Sequence, residues 1–198
     1  LADLIEQICS RKENSITGQG HSLAMSLASS GFSPTAKLMH EFNGLEGIKR
    51  LKFIRKQISK ERFSEGLLDK FKQLHEILIK NPIRLLTVTE LDKQEKAIHD
   101  LDTLWSSNFC NQASNKGFSL PVTRSKLAEA WTTSTQVNFC AKAFPTVPFK
   151  HKDNATLHVL AGYLRNGFLH RAIRETGGAY GGGASQDSNS ASFRFFSY

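Results

Sequence analysis

Arg174 and Tyr180 stand in the segment Arg-Glu-Thr-Gly-Gly-Ala-Tyr-Gly-Gly-Gly, residues 174–183, in which five of ten positions are glycine. Such a window is not ordinary core. Glycine loses the most conformational freedom on folding and belongs where the backbone turns left-handed or another chain comes close. The window is predicted to join a helix to a strand, leaving Arg174 and Tyr180 as the side chains with functional chemistry. A plainer role fits the same two residues: Arg174 as a cation at a helix C-terminus, Tyr180 as a core or strand residue. A phosphate loop is excluded, because no Gly-Lys-Ser/Thr follows and the glycines come after a helix instead of joining a strand to one. The same argument removes a dinucleotide-binding fingerprint.

Other reactive constellations are missing. His40-Glu41 and His75-Glu76 each lack the second histidine of a helical zinc motif, and neither HExxH nor HxxEH occurs. His21, His99, His151, His158 and His170 are scattered, as are Cys9, Cys110 and Cys140, which form no CxxC pair. The three thiols read as idle groups in a reducing compartment, not as a disulfide framework. No Gly-x-Ser-x-Gly elbow is present. The residues by themselves thus show no independent active site.

The 198 residues suffice for one large domain or two small ones, and 39% hydrophobic with 22% charged residues is ordinary globular usage. No apolar run reaches the roughly 18–20 residues of a membrane span, and the opening Leu-Ala-Asp-Leu-Ile-Glu lacks a signal peptide's basic start. A first residue other than methionine suggests a fragment or a processed product. The formal charge of +8 favours acidic partners, but Lys49, Arg50, Lys52, Arg55, Lys56, Lys60 and Arg62 crowd one helical region. There they read chiefly as a solvated face, with an anionic or polypeptide partner as the alternative. No interleaved aromatic platform for nucleic acid accompanies them.

These residues need elements to hold them. Leu4, Ile5 and Ile8 make a helical stripe that a polar break at residues 10–15 is expected to end, and the small residues 21–29 suit a closely packed helix. Ser33-Pro34 is a helix start carrying Leu38, Phe42 and Leu45; Asn43-Gly44 and Gly47 predict a bend or two short helices, the second carrying Ile48, Leu51, Ile54 and Ile58. Ser64 is expected to open a helix lined by Leu67, Leu68, Phe71, Leu74 and Leu78 and stopped by Asn81-Pro82. Residues 83–88 read as a short strand, and Thr89 as the cap of a helix with Leu91, Ala97, Ile98, Leu101, Leu104 and Trp105 inward. Residues 106–125 have linker composition. Lys126–Trp131 and Gln136–Phe144 are predicted strands; Asp153 or Asn154 caps a helix with Leu157, Leu160, Ala161, Leu164 and Phe168, running to about Arg171 or Arg174. A final strand is expected over Ser192–Tyr198, and a strand reaching the last residue is taken to continue in a missing segment.

Phe168-Leu-His-Arg-Ala-Ile-Arg-Glu-Thr-Gly-Gly-Ala-Tyr-Gly-Gly-Gly-Ala184, with Phe193-Arg-Phe-Phe-Ser-Tyr198 after it, resembles the C-terminal half of the presequence-protease and falcilysin group of insulinase/pitrilysin zinc peptidases. Gly20-His-Ser-Leu-Ala, Leu45-Glu-Gly-Ile48 and Thr135-Gln-Val-Asn-Phe139 occur in the matching order. The resemblance implies an α+β fold of LuxS/metalloproteinase-like (insulinase-type) domains, helices packed on antiparallel sheet, with the chain truncated within the last one. Residues 1–108 would end a third domain, 109–125 would link, and 126–198 would begin a fourth. It further implies that Arg174 and Tyr180 act in catalysis, holding a peptide carbonyl and offering a hydroxyl near the scissile bond, while Gly177, Gly178 and Ala179 admit the substrate backbone. Zinc, in this reading, is bound by HxxEH in the N-terminal half of the same protease. This segment alone would hold no metal and be inactive. The implied partners are unstructured peptides and that N-terminal half, without nucleic acid or membrane, inside a cell in either a bacterial cytoplasm or a eukaryotic organelle. The alternative is a non-catalytic peptide-binding or assembly subunit that completes a zinc-bearing partner.

Overall fold

The computed structural model describes residues 1–80, 86–106, 119–121 and 125–198. These divide into two compact units, one made of Leu1–Lys56 with Leu120–Tyr198 and the other of Gln57–Ser119.

The first unit opens with α1, Ala2–Ser29. The expected break at residues 10–15 does not occur. Arg11, Lys12 and Glu13 are good helix formers, and Glu13 is tied to α3 through Arg55 at 2.8 Å and Lys52 at 3.0 Å. Lys52, against the opposing effect of burial, and then Arg55 hold the Glu13 carboxyl below the usual carboxylate range. The helix instead kinks at Gln19, between two glycines, where φ −125° and ψ 18° leave the helical region. Then α2, Pro34–Asn43, starts as predicted, with the Ser33 hydroxyl accepting the Ala36 N–H at 3.1 Å. Gly44 separates α2 from α3, Leu45–Gln57, so two short helices form; Gly47 lies inside the second and Ile58 beyond its end.

The sheet is antiparallel, in the order β1, β3, β2, with β1 at Cys140–Pro145, β2 at Gly182–Asp187 and β3 at Ser192–Ser197. Its two faces carry different helices. Phe193 and Phe195 of β3, with Ala184 of β2, pack on Ala161, Leu157 and Leu164 of α6, Asn154–Leu164, and this is the buried core. On the other face Phe196 stacks on His21 of α1 at 5.5 Å, and the Ser185 hydroxyl reaches the Met25 sulfur at 3.5 Å. Ala141 and Ala143 alternate half-buried with exposed Cys140, Lys142 and Phe144 along β1.

Three strand expectations are corrected here. Residues 126–131 are irregular, pairing with no strand, although Ser125 anchors their start by donating its N–H to Gly31 at 3.1 Å. Of residues 136–144, only those from Cys140 onward enter the sheet, because β3 offers six residues to pair and Ser197 meets Cys140. Pro145 is the last residue of this edge strand, a position where a missing N–H is tolerated. Residues 182–187, read as part of a glycine-rich junction, are a strand in their own right, held by β3.

In the second unit α4, Glu61–Lys80, begins three residues before the expected Ser64 and presents Leu68, Phe71, Leu74 and Leu78. A 3-10 turn at Leu91–Lys93 leads into α5, Gln94–Ser106; Glu90, not Thr89, precedes the turn. Of the predicted strand at 83–88, residues 83–85 lie outside the described residues, and Leu86, Thr87 and Val88 are irregular and exposed. Most of the 106–125 linker also lies outside them, as do Asn81 and Pro82. Among the described residues no helix is long and apolar enough to cross a membrane.

Candidate functional site

Arg174 is positioned by the end of one long helical run. Beyond α6 the chain continues without interruption as a π-helix, Arg165–Thr176. π-Helical geometry is rare and is found disproportionately at functional sites, because its wider turn displaces side chains from the ordinary helical rows. The run ends on glycine. Gly178 adopts φ +71°, the left-handed conformation, and turns the chain so that its N–H reaches the Arg174 carbonyl at 3.2 Å and the Ala179 N–H reaches the Ile173 carbonyl at 3.1 Å. This is a glycine-terminated closure made one residue wider by the π-turn before it. It carries the chain out of the helix and into β2 within five residues, 177–181.

The turn brings the two predicted residues together. The Arg174 guanidinium lies 6.0 Å from the centre of the Tyr180 ring. Both side chains are exposed, Tyr180 by 78%. Cation and ring attract by about 0.5–1 kcal/mol at exposed sites. Glu175, the nearest carboxylate in sequence, turns instead to His170 at 3.2 Å. Among the described residues no carboxylate pairs with Arg174. Its planar donors and the Tyr180 hydroxyl therefore face solvent beside an open backbone, Gly177 and Gly178 being exposed and Ala179 half-buried. Such a pair can hold a carbonyl or carboxylate oxygen.

Aromatic side chains on the α1 face of the sheet support this end. Tyr180 leans on Tyr198 at 5.9 Å between ring centres, and Tyr198 stacks on His21 at 5.0 Å. Neither His21 nor Tyr198 stood out in the sequence as a site residue, although the spacing of Arg194, Phe196 and Tyr198 already puts these three on one face of a strand. The largest cavity, of about 860 Å³, lies elsewhere, between α1 and residues 127–142, lined by Leu23, Leu27, Trp131 and Phe139 and by neither Arg174 nor Tyr180. Geometry and exposed donors, not cavity size, define the site.

Two further groups bear on alternative chemistries. His40 is buried with its Nδ1 unpartnered, and burial pushes its imidazole below the ordinary value, against the pull of Glu46, Glu129 and Glu41. Among the described residues no cluster of three or more His, Cys, Asp and Glu side chains is arranged to hold a metal ion. The basic run is largely paired: Lys49 with Glu46, Arg50 with Glu41, Lys52 and Arg55 with Glu13. That pairing favours the solvated-face reading over an anionic ligand.

Residues 79–198 match the family described as Peptidase M16 inactive domain, and residues 1–54 match the domain described as associated with the C subgroup of M16 peptidases. The chain belongs to the M16 peptidase family. The glycine junction, Arg174 and Tyr180 all fall inside the longer M16 match. Similar proteins include the mitochondrial presequence proteases of Yarrowia lipolytica, 31% identical over 100% of this chain, and of Saccharomyces cerevisiae, 28% identical over 98%. The mitochondrial presequence protease of Xenopus laevis is 31% identical over 98% of it. This M16 segment spans about one fifth of the length of those relatives, 20% of the first two and 21% of the third.

Proposed function

We propose that this M16 segment works as part of a zinc-dependent endopeptidase of the presequence-protease type, in which Arg174 and Tyr180 bind and polarise the peptide bond to be cut. The observation that carries this reading is the Arg174 guanidinium, free of carboxylates among the described residues and 6.0 Å from an exposed tyrosine ring, on a glycine-closed helix end within an M16 match. The names of the relatives support a peptide substrate and a eukaryotic organelle. An extended, unstructured peptide suits the site, because glycines 177 and 178 leave the backbone open to a second chain.

The chemistry follows from the side chains. Arg174 offers two parallel N–H donors to the carbonyl oxygen, and Tyr180 offers its hydroxyl; both grip harder as that oxygen gains negative charge during attack, so they favour the transition state over the ground state. Zinc, which activates water in such peptidases, has no ligand cluster among the described residues. The zinc-bearing half would come from another part of the protein. In this reading residues 1–108 close a third insulinase-type domain, 109–125 link, and 126–198 begin a fourth, LuxS/metalloproteinase-like in fold. The segment by itself is inactive.

One observation favours a second reading, a peptide-binding or assembly subunit without catalysis: the longer match is to the domain described as inactive. Substitution in the whole protein separates the two. Tyr180→Phe and Arg174→Ala should each lower kcat on an unstructured peptide by about 10-fold or more with zinc content unchanged. Normal turnover in both variants would remove the pair from the site.

A further inference from the structure

The geometry points to Tyr198 and His21 as positioning residues that hold the Tyr180 ring in place, an inference that rests on the proposed role of Tyr180. The brace starts from the backbone. Gly181 and Tyr198 exchange two hydrogen bonds of 2.9 Å, each N–H to the other's carbonyl, which extends the β2–β3 ladder one pair beyond the strands. The Tyr198 side chain lies flat over Gly181: a Cβ at 181 would sit 2.6 Å from the ring Cζ and 2.7 Å from the hydroxyl oxygen. Only glycine leaves room for the ring. On the other side His21 of α1 covers it, 5.0 Å away and tilted by 21°. Phe196 lies within 7° of parallel to Tyr198 at 6.4 Å, and Phe139 closes the remaining side at 6.1 Å.

Tyr198 is therefore clamped between a glycine backbone and an imidazole, and Tyr180 rests against this clamped ring at 5.9 Å. Tyr180 itself is 78% exposed, so little else restrains its ring: Arg174 on one side and Tyr198 on the other. An exposed tyrosine that must place its hydroxyl to a fraction of an ångström gains from such a wall, since a misplacement of 1 Å can cost on the order of 100-fold in rate. His21 extends the support to α1, so that a helix near the start of the chain steadies a residue near its end.

The test uses the whole peptidase. Tyr198→Leu is expected to lower kcat about 10-fold with KM changed by no more than about 2-fold, and His21→Leu about 3-fold, while Tyr198→Phe and His21→Phe, which keep a flat ring, restore turnover. As a readout independent of catalysis, 3-fluorotyrosine installed at position 180 should give a 19F resonance that moves toward the free amino acid's position in Tyr198→Leu and stays in Tyr198→Phe. A Tyr198→Leu variant with normal kcat and an unmoved resonance, in an enzyme that Tyr180→Phe impairs, overturns the brace alone. Normal turnover in Tyr180→Phe overturns the site and the brace together.

Discussion

The two ends of the β2–β3 hairpin are built from opposite materials. At the turn, nearly every polar side chain is engaged within the fold. Asp187 accepts from Arg194 at 3.1 Å, from the Ser190 hydroxyl at 2.7 Å and from the Asn189 N–H at 3.1 Å. Ser188 bridges Asn154 and His158 of α6, and Gln186 meets Thr146. Burial pushes the Arg194 guanidinium below its ordinary value, Asp187 opposes this, and its Nε stays unpartnered. At the other end there are glycines, rings and an arginine that meets no carboxylate among the described residues. A fold that satisfies its polar groups so fully at one end leaves strong donors unengaged at the other, where a ligand can engage them.

That contrast predicts a double dissociation: substitutions at the turn should change stability, those at the open end turnover. The largest stability effect belongs to Asp187→Ala, which strands a mostly buried guanidinium and removes the acceptor of two more donors. Breaking one partner of a buried pair costs about 3–5 kcal/mol; with side-chain exposures of 18% and 24% here, about 2–3 kcal/mol is expected. Native-state hydrogen exchange at the Phe193 and Arg194 amides reads this as a matching loss of protection, with kcat on peptide close to the parent's. A turnover loss as large as that of Tyr180→Phe would break the contrast.

Gly178→Ala sharpens it from the other end. No atom lies within 4 Å of where the new Cβ would sit, so the cost is purely that of a left-handed alanine at φ +71°, about 1–2 kcal/mol. The loss should show as faster exchange of the Ala179 amide, which depends on that turn to reach Ile173. Since the same turn aims Arg174 and Tyr180, kcat should fall with it; unaltered turnover alongside the faster exchange would mean that the closure is only structural.

How much of this was legible follows from which contacts are local. The Ser33 cap, the α6 stripe and the Arg174–Tyr180 junction were all readable, because each depends on residues within a few positions of one another. Strand β2 was not: Gly-Gly-Ala-Ser-Gln-Asp has almost no β composition, and it is a strand because β3 pairs with it along all six residues. Residues 126–131 failed in the opposite sense, with no strand there to receive them. The polar stretch of α1 stays helical because Glu13 finds Arg55 and Lys52 on α3, a contact that periodicity does not report. Of the site, the two donors and their glycines were legible. The His21–Tyr198 stack was not, since one residue comes from the first helix and the other from the end of β3's ladder.

The smallest effect has the opposite sign and lies at the turn. Ala191 holds φ 51° there, a left-handed alanine stabilised by its neighbours: its carbonyl accepts the Thr146 N–H at 2.7 Å, and Ser190 and Ser192 on either side share a hydroxyl contact of 2.6 Å. Left-handed backbone costs an alanine about 1–2 kcal/mol, and glycine gives back part of that relief as about 0.5–1 kcal/mol of chain entropy. Ala191→Gly should therefore stabilise the hairpin by roughly 0.5–1 kcal/mol, visible as slower exchange of the Phe193 amide. Protection that falls instead would show that the polar contacts around Ala191 do not hold the turn rigidly enough for its strain to matter, and the sharp difference between a locked turn and an open site would lose its physical basis.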